Sequence, residues 1–331
     1  MKKSTIVKIA ASLCLGLASF LGPQAFAESE DSQGQIQKVS PDAPPILIQV
    51  SPVSTQVVLE AGKSKEYTMT IRNSGSADFN YHLYATPYFV SDEDYNIDFS
   101  VESNRTQISR WIKFYQDDKL VDRPVYSIKS GETQNIKYVV QTPENIPSGG
   151  QYAAIFAETD AGSSSKENTS GSGIRTASRV GMVVYGRTDG ETIEEGSITD
   201  FSIRSFIVDG NVFTTSKVKN SGNTDFEAEY ALRVSSILGA ELYNKKVSYN
   251  ILPDTERRVN LEWPDTPFMG VFKVFLKVSS PGENGTREEE KLVIKFPIIM
   301  IILTILVLTA IIISIIMTTR KRRERNARLA V

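Results

Sequence analysis

Four side chains that carry oxygen ligands alternate along the stretch SDEDYNIDFS: Asp92, Asp94, Asn96 and Asp98. This spacing resembles the start of a calcium-binding loop, in which carboxylate and amide oxygens surround the ion. The rest of that motif is missing, since Ile97 replaces its glycine and Ser103 its last glutamate. Alternate residues also share one face of a strand. The alternative interpretation, which we favour, is a solvated hairpin edge whose apolar residues turn inward.

Other residue types that perform chemistry are scarce in this chain. His82 is the only histidine, and it lies in the strand-like stretch YHLYAT. The only cysteine, Cys14, lies in the N-terminal apolar run. The exported part therefore has no thiol for disulfides, zinc or nucleophilic catalysis. We predict no catalytic residues and no cofactor, while paired carboxylates of a glycosidase remain a remote alternative.

A nine-residue pattern occurs twice, as IRNSGSADF from Ile71 and as VKNSGNTDF from Val218. In both copies a strand runs into Asn-Ser-Gly, where glycine tolerates positive φ and asparagine can bond its own backbone. The predicted turn residues are Asn73, Gly75, Asn220 and Gly222. The repeat indicates equivalent hairpins in two domains of one fold.

A second pair of segments has the same order of turn, strand, proline-containing connection, glycine and aromatic strand. These segments are Ser127–Phe156 and Asn250–Leu276. Gly149 and Gly150 are predicted to make a sharp turn into a strand, and no Gly-Lys-Ser/Thr follows them as a phosphate loop requires. The two repeats differ in spacing, which places an insertion in the first domain within Tyr88–Arg110.

Short alternating apolar runs rich in Val, Ile, Tyr, Phe and Thr fill residues 46 to 290. Turn residues separate them, and no long amphipathic helix is evident. We therefore predict an all-β exterior of two tandem immunoglobulin-like β-sandwich domains, residues 46–192 and 196–292. A flexible leader, residues 28–45, precedes them.

The two ends of the chain predict export and anchoring. Residues 1–27 have the charged start, apolar stretch and Ala-Phe-Ala end of a signal peptide. Residues 296–317 form an uncharged apolar run, long enough as a single transmembrane α-helix for a bilayer core. The basic tail, residues 318–331, is expected in the cytoplasm by the positive-inside rule. The sandwiches would then lie outside the cell, close to the membrane, and their acidic balance argues against nucleic acid as a partner.

The first domain resembles a known family in several quoted stretches: VSPVSTQVVLEAGKSKEYTMTIRNSGSADFNYHLYAT, NIDFS, SIKSGETQNIKYVVQTPENIPSGGQYAAIF and SRVGMVVYGRT. These are similar to the N-terminal domain of the WxL-interacting proteins of Gram-positive bacteria. The resemblance implies a non-catalytic scaffold in the cell membrane. It associates the first domain with peptidoglycan and the second with a secreted surface protein that carries Trp-x-Leu motifs, and it transfers no individual ligand-binding residue.

Three functions are compatible with these observations. The leading prediction is a membrane-anchored cell-surface binding or scaffold protein that holds wall polymer, a surface protein or both. The alternative is an accessory or assembly subunit of a membrane complex that docks through a sheet edge. The remote alternative is a wall-polysaccharide hydrolase. The sequence predicts no oligomeric state.

Overall fold

A computed structural model describes residues 43–160 and 177–329. The predicted signal peptide, Cys14 and most of the predicted leader lie outside the described residues. Residues 43–45, at the end of that leader, are described, and they lie beside the first Asn-Ser-Gly turn.

The first sandwich contains twelve short strands and one helical turn. In chain order these elements are β1 (Ile48–Ser51), β2 (Ser54–Leu59), β3 (Ser64–Asn73), β4 (Phe79–Pro87), β5 (Phe89–Val90), β6 (Ile97–Asp98), α1 (Ile108–Trp111), β7 (Ile112–Gln116), β8 (Lys119–Val121), β9 (Val125–Ile128), β10 (Thr133–Gln141), β11 (Gly150–Thr159) and β12 (Arg179–Thr188). One sheet has the order β1-β3-β10-β7-β8 and the facing sheet has the order β2-β12-β11-β4-β9. Strands β5 and β6 form a separate small hairpin.

The second sandwich contains eight strands. They are β13 (Gly196–Ile203), β14 (Phe206–Ile207), β15 (Val212–Asn220), β16 (Phe226–Ser236), β17 (Glu241–Ile251), β18 (Glu256–Trp263), β19 (Gly270–Ser279) and β20 (Thr286–Lys295). The sheets have the orders β13-β15-β18 and β14-β20-β19-β16-β17. The last strand therefore runs to Lys295, slightly past the proposed domain end at residue 292.

Both sandwiches divide their first strand between the two sheets. In the first, β1 pairs antiparallel with β3 and β2 pairs parallel with β12. In the second, β13 pairs antiparallel with β15 and β14 pairs parallel with β20. The repeated sequence thus reports a repeated topology, and the all-β prediction of two immunoglobulin-like sandwiches is confirmed.

Alternating side chains build a separate core in each sandwich. Strand β16 shows this in its sequence FEAEYALRVSS, where Phe226, Ala228, Tyr230, Leu232 and Val234 are buried and the residues between them are polar or less buried. An antiparallel strand with one face on a core has this period of two. Both tryptophans, Trp111 and Trp263, are buried, as core tryptophans of a sandwich are.

The main difference between the sandwiches is the connection that follows β4 in the first and β16 in the second. In the second sandwich residues 237–240 link β16 directly to β17, whereas in the first sandwich the connection from β4 to β9 contains β5, β6, α1, β7 and β8. The insertion thus extends beyond the predicted Tyr88–Arg110. Its aromatic side chains cover the outer face of β11, where Phe99 packs edge-on against Phe156 at 4.9 Å between ring centroids.

A single long helix, α2 (Ile298–Leu329), follows β20 after two residues. The segment Ile298–Arg322 is long and apolar enough to cross a membrane, and its most apolar stretch is not buried against the sandwiches. The predicted span began two residues earlier, at Phe296, and the helix continues through most of the predicted basic tail. Pro297 immediately precedes the helix, where a missing backbone N–H costs little.

Candidate functional site at the junction of the two sandwiches

The two Asn-Ser-Gly turns have the same hydrogen bonds. In the first, the Gly75 N–H donates to Asn73 Oδ1 at 2.8 Å and Asn73 Nδ2 donates to the Ala77 carbonyl at 2.9 Å. In the second, the Gly222 N–H donates to Asn220 Oδ1 at 2.8 Å. Asn220 Nδ2 donates to the Thr224 carbonyl, also at 2.8 Å. These bonds are how the repeated asparagine stabilises its own turn, as predicted for such residues.

Each turn is covered by the chain that leads into its own sandwich. A Cβ added at Gly75 would lie 2.5 Å from the Pro45 carbonyl oxygen, and one at Gly222 would lie 2.1 Å from that of Ile193. Such distances leave room only for glycine. Both glycines are therefore required by close approach of another backbone, a role of glycine distinct from positive φ.

The second turn also contacts the first sandwich, and this contact begins the junction between them. The Gly150 N–H donates to the Asn223 carbonyl at 2.8 Å. Gly149 has φ +98°, and a Cβ there would lie 2.0 Å from the same carbonyl oxygen. The predicted sharp turn at Gly149 and Gly150 thus meets one of the two repeated turns.

A buried polar link lies beside this contact. The Tyr152 hydroxyl donates to Asp225 Oδ1 at 3.0 Å and accepts from the Asp225 N–H at 3.0 Å. Arg187 Nη2 donates to the Asp225 carbonyl at 3.0 Å. Asp225 is only 4% exposed, so its side chain and backbone depend on these protein partners in place of water.

The insertion contributes to the junction through the loop between β5 and β6, residues 91–96, which we call the acidic loop. Glu93 forms ion pairs with Lys217, at 2.5 Å, and with Arg258. Asp94 also pairs with Arg258, Oδ1 to Nη1, at 2.9 Å. The Arg258 N–H donates to the Glu93 carbonyl at 2.6 Å. The negative loop of one sandwich therefore faces the positive strands β15 and β18 of the other.

Tyr95 inserts into the second sandwich from the same loop. Its hydroxyl accepts from the Leu252 N–H at 2.9 Å, and the Arg257 guanidinium lies 3.9 Å from its ring centroid. Tyr95 has φ +66°, which is uncommon for a residue with a side chain. The backbone of the loop and the contacts across the junction therefore both constrain Tyr95.

A small apolar cluster completes the junction. Val90, Tyr152 and Leu252 are buried together, and Tyr88, Tyr95, Ile97 and Tyr185 pack around them. Burial raises the pKa of Tyr95 and of Tyr152 above the ordinary value of a phenol, and it raises the pKa of Tyr88 to about 12. These hydroxyls stay protonated at neutral pH, so they donate and accept as neutral groups.

The four predicted calcium ligands lie in this loop or directly after it, where the three aspartates accept from protein donors and Asn96 is one of those donors. Asp92 accepts from the N–H and side chain of Asn96, and Asp98 accepts from the N–H and hydroxyl of Ser100. These bonds lower the pKa of both aspartates. Within residues 43–160 and 177–329, no three His, Cys, Asp or Glu side chains gather as potential metal ligands. A calcium role stays a prediction.

A cleft of about 630 Å³ opens beside the junction. Its lining comes from the insertion, the turn before β11 and the loop between β17 and β18, with aromatic, hydroxyl, amide and charged groups: Tyr88, Phe89, Ser103, Asn104, Arg105, Ser148, Asp254 and Thr255. Arg105 links two other parts of the lining, since its Nη1 donates to the Ser148 carbonyl at 2.7 Å and its Nε lies 3.7 Å from Asp254. Concave sites with an apolar base and a few polar groups are typical of ligand binding.

His82 lies away from this site. It is on β4, an interior strand of its sheet, and its Nε2 lies 2.7 Å from Asp160 Oδ1. Among the described side chains of the junction, sequence reasoning missed Tyr95, Tyr152, Asp225 and Arg258. The acidic loop was noticed for its carboxylates. The basic pair Arg257–Arg258 is the local signal that could have suggested an opposite-charge partner.

The comparisons with known proteins concern the fold. No family model matches the chain, and no curated protein matches it. The solved structures that match include the class 5 fimbriae chaperone CfaA, at 12% identity, 76% coverage of this chain, 100% of that chain and a TM-score of 0.36. They also include the Pseudomonas aeruginosa CupB2 chaperone, at 8% identity, coverages of 73% and 99% and a TM-score of 0.34. The Escherichia coli chaperone DraB matches at 14% identity, coverages of 74% and 97% and a TM-score of 0.33. At these scores we carry no role of those chaperones over to this chain.

Proposed function

We propose that this chain is a non-catalytic, membrane-anchored surface protein whose two sandwiches bind a polymer or protein of the cell wall at their junction. The observation that carries the proposal is the cleft built jointly by both sandwiches, in a chain that continues into an apolar helix. In this proposal the helix crosses the cell membrane once, with the sandwiches outside and the basic tail in the cytoplasm.

The chemistry of the cleft favours a ligand rich in amide and hydroxyl groups. Tyr88 and Phe89 are half-buried and offer aromatic surface, while Ser103, Asn104 and Thr255 offer small polar groups. Glycan and peptide chains combine apolar faces with amide and hydroxyl hydrogen bonds, which such a lining can satisfy. Peptidoglycan contains both kinds of chain.

The resemblance of the first domain to WxL-interacting proteins supports the same ligand. In that reading the first sandwich, with the insertion, holds peptidoglycan, and the second sandwich holds a secreted surface protein. The junction would then place the wall polymer and the protein partner side by side outside the membrane.

Co-sedimentation with isolated sacculi tests the proposal. The detergent-solubilised full chain should pellet with sacculi in a saturable manner and release no soluble sugar. Asn104→Trp should reduce the pelleted fraction several-fold, because Asn104 is exposed in the cleft lining and a bulky side chain there would fill the cleft. The substitution keeps the Asn104 carbonyl that accepts from Gln151.

Asn284→Trp is the matched control. Asn284 is also exposed, begins the same Asn-x-Thr triplet and lies in the turn between β19 and β20. Equal pelleting of both variants and the unchanged chain would exclude the cleft as the binding site. Absence of pelleting by the unchanged chain would reject wall binding altogether, and release of sugar would favour the hydrolase.

Strand addition at β17 is a second candidate function. This strand is eleven residues long and lies at the end of its sheet, paired only with β16 in that sheet. An exposed edge of that length can accept a strand from a partner. Crosslinking from β17 in the native membrane would identify a protein neighbour if the chain is an assembly subunit.

A further inference from the structure

The exposed large apolar side chains of the second sandwich are concentrated at one end. Ten are exposed among residues 196–295, all of which the structure describes: Phe206, Val208, Ile237, Leu238, Leu242, Phe268, Met269, Val271, Leu292 and Ile294. We call these residues the apolar rim. They lie on or just after β14, on the β16–β17 turn and the start of β17, on the connection before β19 and the start of β19, and near the end of β20. The junction with the first sandwich is at the opposite ends of these strands.

The register of the strands places the rim level with the start of the helix. Val271 pairs with Ile294, and Phe206 also pairs with Ile294, so three exposed apolar residues form a row across three strands. Ser236 is opposite Phe272, one residue further from the helix. Ile237 and Leu238 continue past Ser236, so they lie within about 7 Å, or two strand residues, of that row.

The outer face of the β19–β20 pair changes character along its length. Towards the junction, Lys277 forms an ion pair with Glu288 at 3.5 Å. Towards the helix, Leu292, Ile294 and Val271 have exposed fractions of 54%, 44% and 42%, and Lys273 lies opposite Leu292. Isolated apolar residues on a surface are ordinary, but a continuous patch indicates an interaction. Three of the four outward residues in the two pairs nearest the helix are therefore apolar.

Hydrogen bonds hold the start of the helix against this end of the sandwich. The Phe296 N–H donates to the Ile207 carbonyl at 3.0 Å, and the Ile298 N–H donates to the Val208 carbonyl at 3.1 Å. Lys295 is only 8% exposed, and its Nζ lies 3.4 Å from the Thr266 carbonyl. The rim therefore cannot move far from the first residue of the helix.

The length of the helix fixes where the membrane surface lies. Residues 298–317 are uncharged and cover about 30 Å at about 1.5 Å per residue, which equals the thickness of a hydrocarbon core. The boundary of that core is then close to Ile298, at the level of the rim. Exposed Asp209 and Asp265 at the same end limit the depth to the headgroup layer, because carboxylates are costly in hydrocarbon.

We infer that the apolar rim is a membrane-contact surface, which inserts Leu238, Phe268 and their neighbours into the outer headgroup and upper acyl layer of the bilayer. This inference rests on the membrane anchoring of the proposed function. Apolar and aromatic side chains are stable at that depth. The contact would hold the second sandwich upright on the membrane without a spacer, with the junction at the far end.

Depth-dependent quenching tests the inference on the full chain in phosphatidylcholine vesicles. Cys14→Ser removes the only cysteine, and single labels of a polarity-sensitive fluorophore are then attached at Leu238→Cys or Phe268→Cys. Asn284→Cys, an exposed position in the turn at the other end of the sandwich, is the matched control. Ile313→Cys, within the helix, reports whether the chain spans the membrane.

We expect lipids that carry a nitroxide in the upper acyl chain to quench the labels at positions 238 and 268 several-fold more than the label at 284. Equal quenching at 238, 268 and 284, with strong lipid quenching at 313, would overturn the membrane contact and leave the anchor intact. Labels at 238 and 268 that are shielded from an aqueous quencher without lipid quenching would indicate a protein on the rim and also overturn it. A label at 313 without lipid quenching would reject the anchor and the contact together.

Discussion

The buried carboxylate of Asp225 depends on the first sandwich for part of its hydrogen bonding. Tyr152 donates to one oxygen at 3.0 Å, and Asn250 of the second sandwich donates to the other at 3.0 Å. The equivalent residue of the first repeat, Asp78, accepts instead from the Ser130 N–H within its own sandwich, at 2.8 Å. One position of the repeat therefore serves a turn in one copy and the junction in the other.

Tyr152→Phe should lower the free energy of unfolding by about 1–3 kcal/mol, because a buried carboxylate oxygen and a backbone N–H each lose a partner. Chemical denaturation measures the change. Tyr230→Phe is the control, since both tyrosines are 1% exposed but the Tyr230 hydroxyl has no hydrogen-bond partner among the described residues. That variant should change stability by less than about 0.5 kcal/mol. Equal losses would show that the Tyr152 hydroxyl contributes nothing specific.

At the scale of secondary-structure elements, the junction constrains the shape of the turn before β11. Gly149 combines a positive φ with a carbonyl of the other sandwich at its α-carbon. Its N–H donates to Thr188 Oγ1 at 2.7 Å, so the end of β12 holds the turn as well. The insertion contacts the same turn, since Arg105 Nη1 donates to the Ser148 carbonyl at 2.7 Å.

Gly149→Ala should destabilise the protein more than Gly210→Ala. Gly210 also has a positive φ, +75°, but a Cβ there would meet nothing within 4 Å. Alanine at residue 210 should cost about 1–2 kcal/mol from the backbone conformation alone. At residue 149 the overlap should add a further loss of about 1–3 kcal/mol. Denaturation of both variants decides the point, and losses of the same size would mean that Asn223 does not press on the turn.

The junction contacts described above make the two sandwiches a single unit at the scale of the whole molecule. Buried tyrosines occur in both cores and between them. Burial raises the pKa of Tyr81 and Tyr138 in the first core, Tyr230 in the second and Tyr95 and Tyr152 at the junction. Ionisation of these tyrosines at alkaline pH would therefore destabilise both cores and the junction.

The contribution of these phenols to stability should be constant below pH ~10, and stability should fall above it. The folded protein holds these phenols neutral, whereas the unfolded chain ionises them near the ordinary pKa of about 10, so rising pH favours unfolding. Denaturant titrations between pH 8 and 12, read beside tyrosinate absorbance, measure this effect. Ionisation of every tyrosine near pH ~10 with unchanged stability would contradict the burial of these hydroxyls.

The general architecture could be predicted because its signals are local and repeated. Alternating strands, two Asn-Ser-Gly turns and one uncharged run of helix length each carry their meaning within a few residues. The junction could not be predicted in this way. The alternation of Asp92, Asp94, Asn96 and Asp98 is equally compatible with an ion, with solvent or with arginines far along the chain, and only the three-dimensional arrangement places Arg258 beside Asp94.

The measurement that tests the central claim most directly is the distance between the two sandwiches in solution. Spin labels at Lys119→Cys and Lys246→Cys, both exposed and on different sandwiches, would be attached in the Cys14→Ser chain. We predict a single narrow distance distribution that broadens when Tyr95→Ala and Arg258→Ala remove the contacts of the insertion. A broad distribution in the unchanged junction, insensitive to those substitutions, would contradict the account.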